Sequence, residues 1–359
     1  MGIQISCDFP GGNIVVRGIR GNQVLLRRDS WSSSWNWYYF YFEAESTGDA
    51  RYEFRFTCGW SLSTGGVAYS LDEGVTWDHI RYGAGCARDH FFYDMKAGQK
   101  VRFCLGQQYL QKDLEVFLAS HPAVRKSVLC MSRKKREVEL LRIGEDAPGK
   151  IPVLLTSRHH ACEMHGTRVL EAVMEKALEI PGFLDKYTVY AVPFVDKDGV
   201  EEGNQGKNSI PHDHNRDYGE NAIYPEIRAL MKLDAEKKFQ IVLDFHCPGL
   251  GREKIFFFGS EFPHIEQNIE ELCDMIGLYG PQWLNFHAGY NVEKFGHGWN
   301  QIYADGIPCS RYFASRPWMK LALSNEISYD FANKTLLTTE KLRDYGHGIA
   351  KALMYLKLK

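Results

Sequence analysis

Apolar and polar positions follow two rhythms along the 359 residues. Up to about residue 120 they alternate. "NWYYFYFEAES" and "ARYEFRFTCGW" interleave aromatic and β-branched residues with polar ones, and "STGD", "STGG" and "GAG" punctuate them. Period-two alternation between such turns predicts half-buried strands, and a succession of them predicts a sandwich. From about residue 122 the strands become apolar throughout: "KIPVLLTS", "YTVYAVPFV", "FQIVLDFHC", "KIFFFGS" and "KLALSNEI". Helical stretches lie between them, among them "GTRVLEAVMEKALE", "AIYPEIRALMKLDAEKK" and "EKLRDYGHGIAKALMYLKL". In the first, Val169, Leu170, Val173, Met174, Ala177 and Leu178 share one helical face. Apolar strands alternating with helices predict an α/β fold with a mixed, largely parallel sheet flanked by helices. The expected organisation is an all-β sandwich domain over residues 1–121 and an α/β domain over 122–359.

Composition narrows the partners more than the fold. The formal net charge is −2 and no basic block occurs, so nucleic acid and anionic membrane surfaces are not favoured. No apolar run reaches the ~20 residues of a membrane span, and the N-terminus lacks a basic-then-apolar leader. Met1, Gly2 and Ser6 fit a myristoylation pattern, but "IQISCDF" reads better as an opening strand. Nine cysteines stand singly from Cys7 to Cys309, with no C-x-x-C. That usage predicts reduced, mostly buried thiols in a cytoplasmic protein. Residues 70–77, "SLDEGVTW", resemble a single Asp-box, which implies a hairpin turn with Asp72 on backbone amides and Trp77 beneath it. Trp31, Trp35 and Trp37 suggest either a sugar platform or sandwich core, and core is the preferred reading.

The chemistry is loaded onto the ends of the apolar strands, where α/β sheets bind ligands. His160 and Glu163 follow "KIPVLLTS", His246 ends "FQIVLDF", and Glu326 lies in "LALSNEISY". Imidazoles and carboxylates at buried strand ends need something to offset their desolvation. Two histidines and a glutamate are zinc ligands in type, and three protein ligands leave a position for water. A spare carboxylate can deprotonate that water. The order H-x-x-E, Asn-Arg, a strand-end His, a Tyr-bearing loop and a Glu near the last strand resembles the zinc carboxypeptidases of the carboxypeptidase A superfamily, over about residues 122–359. "SRHHACE" is similar to the "R-x-H-P-G-E" of the cytosolic carboxypeptidase branch, and "WNWYYFYFEAES" to the aromatic strand of that branch's β-sandwich.

The resemblance implies a metallocarboxypeptidase with one Zn²⁺ per chain held by His160, Glu163 and His246. Glu326 is then the general base and later the proton donor to the departing amine. Asn215 and Arg216 clamp the substrate's terminal carboxylate, which makes cleavage exo, and Tyr303 lies on the substrate loop. The sequence departs from the family where an arginine should polarise the scissile carbonyl: Gly203-Asn204-Gln205-Gly206 stands there, and the following Lys207 is the expected substitute. Arg311, on the loop after Tyr303, falls about where the branch that removes glutamates carries an arginine, implying a preference for acidic C-terminal residues. Asp244 either orients a ligand or caps backbone amides. The implied partner is a peptide or protein C-terminus; oligomeric state is not legible.

Other residues take plainer readings. His159 and His165 are expected in supporting or solvent contacts, His212 and His214 in a polar substrate loop, Cys162 as a small buried filler, and His347 on the surface. The main rival is a zinc N-acyl-amino-acid deacylase resembling aspartoacylase. That branch shows H-G-x-E with its β domain last, whereas this chain has H-A-C-E with the β domain first. A non-catalytic binding protein is the third reading, opposed by the intact ligand set.

Overall fold

The computed structural model describes residues 2–83, 85–302 and 305–359. The first hundred residues form two facing sheets. One is antiparallel, in the order Ile3–Ser6, Tyr41–Ser46, Lys100–Cys104, Val67–Ser70, Asp78–Ile80. The other runs Val15–Arg20, Gln23–Arg27, Ala50–Phe56, His90–Met95, with its middle pair parallel. Alternation along Ala50–Phe56 turns Tyr52, Phe54 and Phe56 inward. Phe54 meets Phe42 and Phe103 of the opposite sheet at 5.8 and 5.0 Å, and Phe91 meets Phe103 at 4.9 Å. Such offset aromatic contacts make the expected sandwich core. Residues 70–77 form the expected turn: Asp72 Oδ1 accepts from the Val75 and Thr76 amides, and Trp77 lies against Tyr41.

The tryptophan cluster is a correction. Trp31 and Trp35 are 58% and 68% exposed, and Trp37 is only partly buried. They stand in the long connection before Tyr41–Ser46, where no alternation turns them inward. The core is supplied instead by the next residues, Tyr39 to Phe42. A helix, Gln111–Ser120, ends this region unannounced, because only Leu114 and Phe117 on it are buried. Two apolar positions leave too short a pattern to read.

The α/β region centres on an eight-stranded mixed sheet. Its four middle strands, Tyr187–Val192, Ile151–Ser157, Ile241–His246 and Leu321–Glu326, are parallel neighbours in that order. Every residue of Tyr187–Val192, Ile241–His246 and Leu321–Glu326 is buried, as a sheet covered on both faces requires. Antiparallel strands extend both edges: Glu137–Ile143 and Arg125–Met131 on one, Phe256–Phe258 on the other. Four long helices, Met164–Glu179, Pro225–Lys237, Pro263–Tyr279 and Thr339–Tyr355, flank it. The parallel register sets His246 directly opposite Glu326. All nine cysteines are unbridged, and among the described residues no helix is long and apolar enough to cross a membrane.

Candidate active site

Where strand Ile151–Ser157 ends, the chain turns sharply. Arg158 takes φ of +62°, and its buried guanidinium donates to the carbonyls of Ala161 (2.7 Å) and Tyr109 (3.0 Å). A non-glycine residue in that region is uncommon and needs surrounding contacts to hold it. The staple fixes the turn that carries His160, and Glu163 stands just before helix Met164–Glu179 with its side chain free of any capping bond and turned to the histidines. His160 Nδ1 lies 3.0 Å from one oxygen of Glu163, and His246 Nδ1 lies 2.7 Å from the other. The three donor atoms fall within 4.8 Å of one another.

A carboxylate holds each imidazole from behind. His160 Nε2 faces Asp213 at 3.2 Å, and His246 Nε2 faces Asp244 at 2.7 Å. Burial pushes both aspartates up, but the imidazoles outweigh it and hold them well below the ordinary range. With Nε2 engaged, each Nδ1 is directed at Glu163, which suits a metal bound by two imidazoles and a carboxylate. His159, Asp244 and His246 also cluster within 4.8 Å. That set suits a catalytic metal less well: His159 Nε2 is engaged by the Tyr218 hydroxyl at 2.8 Å, and of the residues in the two sets it is His160 that lines the pocket.

Lys207 lies on this cluster, though not as an unoccupied cation awaiting substrate. Its Nζ is 2.7 Å from Glu163 Oε1 and donates to the Cys247 carbonyl at 2.7 Å. Burial would lower its pKa; the Glu163 charge overrides that and holds it above the ordinary lysine range. Gly206 makes the placement possible: at φ of +77°, a Cβ there would sit 2.0 Å from the Ala161 nitrogen. The β-sandwich braces the same loop. Gln205 bonds the Tyr39 backbone in both directions, the Ser33 hydroxyl donates to the Lys207 carbonyl, and Trp37 Nε1 donates to Asn208.

Beyond His160 opens a pocket lined also by Asn215, Arg216, Ser310, Arg311, Ser324 and Glu326. Glu326 is pushed above the ordinary glutamate range by burial, eased by His246 and reinforced by Glu163. Asn215 is largely committed: its Oδ1 accepts from the Cys309 amide and its Nδ2 lies 3.3 Å from His246. Arg216 lines the pocket with Asp305 3.6 Å from its Nε. Arg311 lines it too, but its guanidinium is forked onto Glu261 at 2.7 and 3.2 Å. Tyr303 lies outside the described residues. Of the plainer readings, His165 is fully buried against the Ser328 carbonyl and Cys162 is buried, while His347 is not simply surface, since it bonds Glu175. Asp213 is the residue the sequence reading missed. It sits between the two histidines of "PHDHNRDY" that attract attention instead.

Residues 110–221 match the family model for zinc carboxypeptidases. That stretch, 112 of the 359 residues, is what the chain shares with the family at the level of sequence. A metallo-carboxypeptidase from Burkholderia cenocepacia superposes with a TM-score of 0.79 over 99% of this chain and 98% of its own, at 19% identity. One from Pseudomonas aeruginosa, in complex with (2-guanidinoethylmercapto)succinic acid, gives 0.80 over 98% of each chain at 18% identity. Carboxypeptidase A from Helicoverpa armigera covers 69% of this chain and 72% of its own, at 16% identity and a TM-score of 0.53. At these identities the likeness is one of fold, and for the two bacterial proteins it spans the β-sandwich as well as the α/β region. No curated protein sequence matches the chain.

Proposed function

We propose that the chain is a zinc metallocarboxypeptidase that hydrolyses the C-terminal peptide bond of peptides or protein tails. The carrying observation is the convergence of His160 Nδ1 and His246 Nδ1 on the two oxygens of Glu163, at the edge of the pocket that also holds Arg216 and Glu326. Those three residues would hold one zinc, which supplies a Lewis acid and lowers the pKa of a water toward ~7. Asp213 and Asp244 fix the imidazoles. Glu326, opposite His246 in the sheet, takes the proton of the attacking water and returns it to the leaving amine. Arg216 receives the terminal carboxylate bidentately, with Asn215 setting the turn through Cys309. Lys207, next to Glu163, supplies the positive charge for the developing oxyanion and must share it with that ligand. The domain boundary near residue 121 fits this division of labour: the sandwich braces the Lys207 loop and shapes access, and the following region carries the chemistry.

Acidic C-terminal residues are the proposed preference. Arg311 faces the pocket, and a substrate glutamate or aspartate would take the place of Glu261 on its guanidinium. The test is kcat/KM for peptides ending in Glu, Leu and Lys, with and without chelator. Chelator-sensitive turnover with Glu highest is expected. Turnover of N-acyl amino acids but not peptides would favour the deacylase reading, and a Lys preference would mean that Glu261 receives the side chain.

A further inference from the structure

On the far side of the turn that carries Arg216 lies a second cavity, of about 150 Å³. Its lining combines buried acids with polar atoms that have no partner. His214, the residue before Asn215, is 6% exposed, and its Nδ1 is unbonded while Nε2 faces Asp196 Oδ1 at 3.7 Å. Its ring is stacked on Tyr224 at 3.5 Å, which fixes its direction. Glu226 is 2% exposed with an unbonded Oε2, and the buried Oδ1 of Asn204 is unbonded too. Asp196 is 4% exposed. It takes the Gly199 amide, and Gly199 gives it room, since a Cβ there would sit 2.2 Å from Asp196 Oδ2.

The cavity's charges are unevenly matched. Asp198 and Glu202 at its edge are paired with Arg136 and Lys134. Among the described residues, no lysine or arginine lies within ion-pair distance of Asp196 or Glu226; Arg133 is near but stacked over Tyr224. Two buried carboxylates therefore face the cavity without a cation. Trp31 stands at the rim, 58% exposed, and already takes the Lys134 ammonium at 5.9 Å from its ring.

We propose that this cavity binds a primary alkylammonium group, whose three N–H donors match the three unbonded acceptors His214 Nδ1, Glu226 Oε2 and Asn204 Oδ1. Asp196 adds counter-charge, and Trp31 gives the entrance a cation-binding face. Burial pushes His214 down to about 3, leaving a neutral acceptor, and pushes Asp196 and Glu226 up to about 7, a penalty that a bound cation relieves. The group can come from a free amine or from a lysine side chain on a peptide. The site is separate from the zinc pocket, so it stands or falls independently of the peptidase reading.

The test is thermal unfolding of the full-length zinc-loaded protein, titrated with n-butylammonium chloride or Nα-acetyl-lysine amide. Tetramethylammonium chloride and potassium chloride at equal ionic strength serve as references. At least one amine is expected to raise the midpoint saturably while tetramethylammonium, which has no N–H donor, does not. A response to butylammonium alone identifies a free amine as the ligand class, and a response to the lysine amide identifies a chain-borne lysine. Glu226→Gln and, at a less buried position, Asn204→Ala should each weaken the apparent affinity about tenfold, the loss of one hydrogen bond to a charged group. No saturable shift with either amine, an equal shift with tetramethylammonium, or unchanged affinity in both variants overturns the proposal.

Discussion

In the β-sandwich, Asp49, Glu53, Asp72 and Asp89 all sit below the ordinary carboxylate range. The Ala97 amide and Lys96 lower Asp49, and the His90 ring lowers Asp89. Burial pushes Glu53 and Asp72 up, but Gln23 and Arg55 for the one, and Thr76 and Ser70 for the other, outweigh it. In the α/β region several buried carboxylates move the other way. Burial raises Asp196 and Glu226 to about 7 and Asp330 to about 6, and it raises Glu326. The deeply buried exceptions there, Glu163, Asp213 and Asp244, touch the imidazoles of the candidate metal site, while Asp146, Glu175 and Glu179, nearer the surface, are lowered by paired Lys237, Arg343 and Lys176. Among its described residues the sandwich buries no carboxylate; the α/β region buries several, at its strand ends and in the turns beside them. Buried, perturbed carboxylates mark places where a fold spends stability on chemistry.

The contrast between the two regions is greatest at Glu326. Glu326→Gln should leave zinc content and the unfolding midpoint in place and reduce kcat/KM by on the order of 10²–10⁴-fold. An active variant would move the base elsewhere. In the sandwich the converse holds: Phe54→Ala removes a ring fully buried against Phe42, Phe91 and Phe103. It should cost about 3–5 kcal/mol in urea unfolding, with kcat unchanged in whatever fraction remains folded. Next is Asp213→Ala, expected to weaken zinc affinity by roughly 10–100-fold in competition with a chelator. Unchanged affinity would make Asp213 a loop brace only, through its contacts with the Asn208 and Asn215 amides.

The smallest effect concerns pH. Glu226 has an ordinary value of 4.5 and about 7 in the fold, so the folded state keeps a proton that the unfolded chain has released. Its contribution to stability is full below about pH 4.5 and is lost as pH rises through about 7. Glu226→Gln should therefore reduce the fall in unfolding free energy between pH 5 and pH 8 by on the order of 1 kcal/mol. An equal fall in both proteins would remove Glu226 from the account.

Much of this was legible because periodicity and strand-end chemistry are local. The apolar strands gave the parallel core, and H-x-x-E with a distant strand-end histidine gave His160, Glu163 and His246, which the fold brings together. What was not legible depends on three-dimensional neighbours. Nothing local distinguishes the exposed Trp31 and Trp35 from the buried Tyr39 and Phe40, since all lie in one aromatic run. The missing arginine points to Lys207 as a substitute, but the contact of Lys207 with Glu163 follows from Gly206 packing on the His160 turn. Arg311 was placed in the pocket, whereas its partner Glu261, fifty residues earlier, could not be anticipated. Asp213 needed the fold to bring it behind His160.

Under the proposed function the metal belongs to His160, Glu163 and His246 rather than to His159, Asp244 and His246. Glu163 belongs only to the first set. Zinc per folded chain, measured by plasma mass spectrometry for wild type and Glu163→Gln after dialysis, tests this most directly. Close to one zinc is expected in the wild type and a small fraction of that in the variant. A full equivalent retained by Glu163→Gln would contradict the assignment.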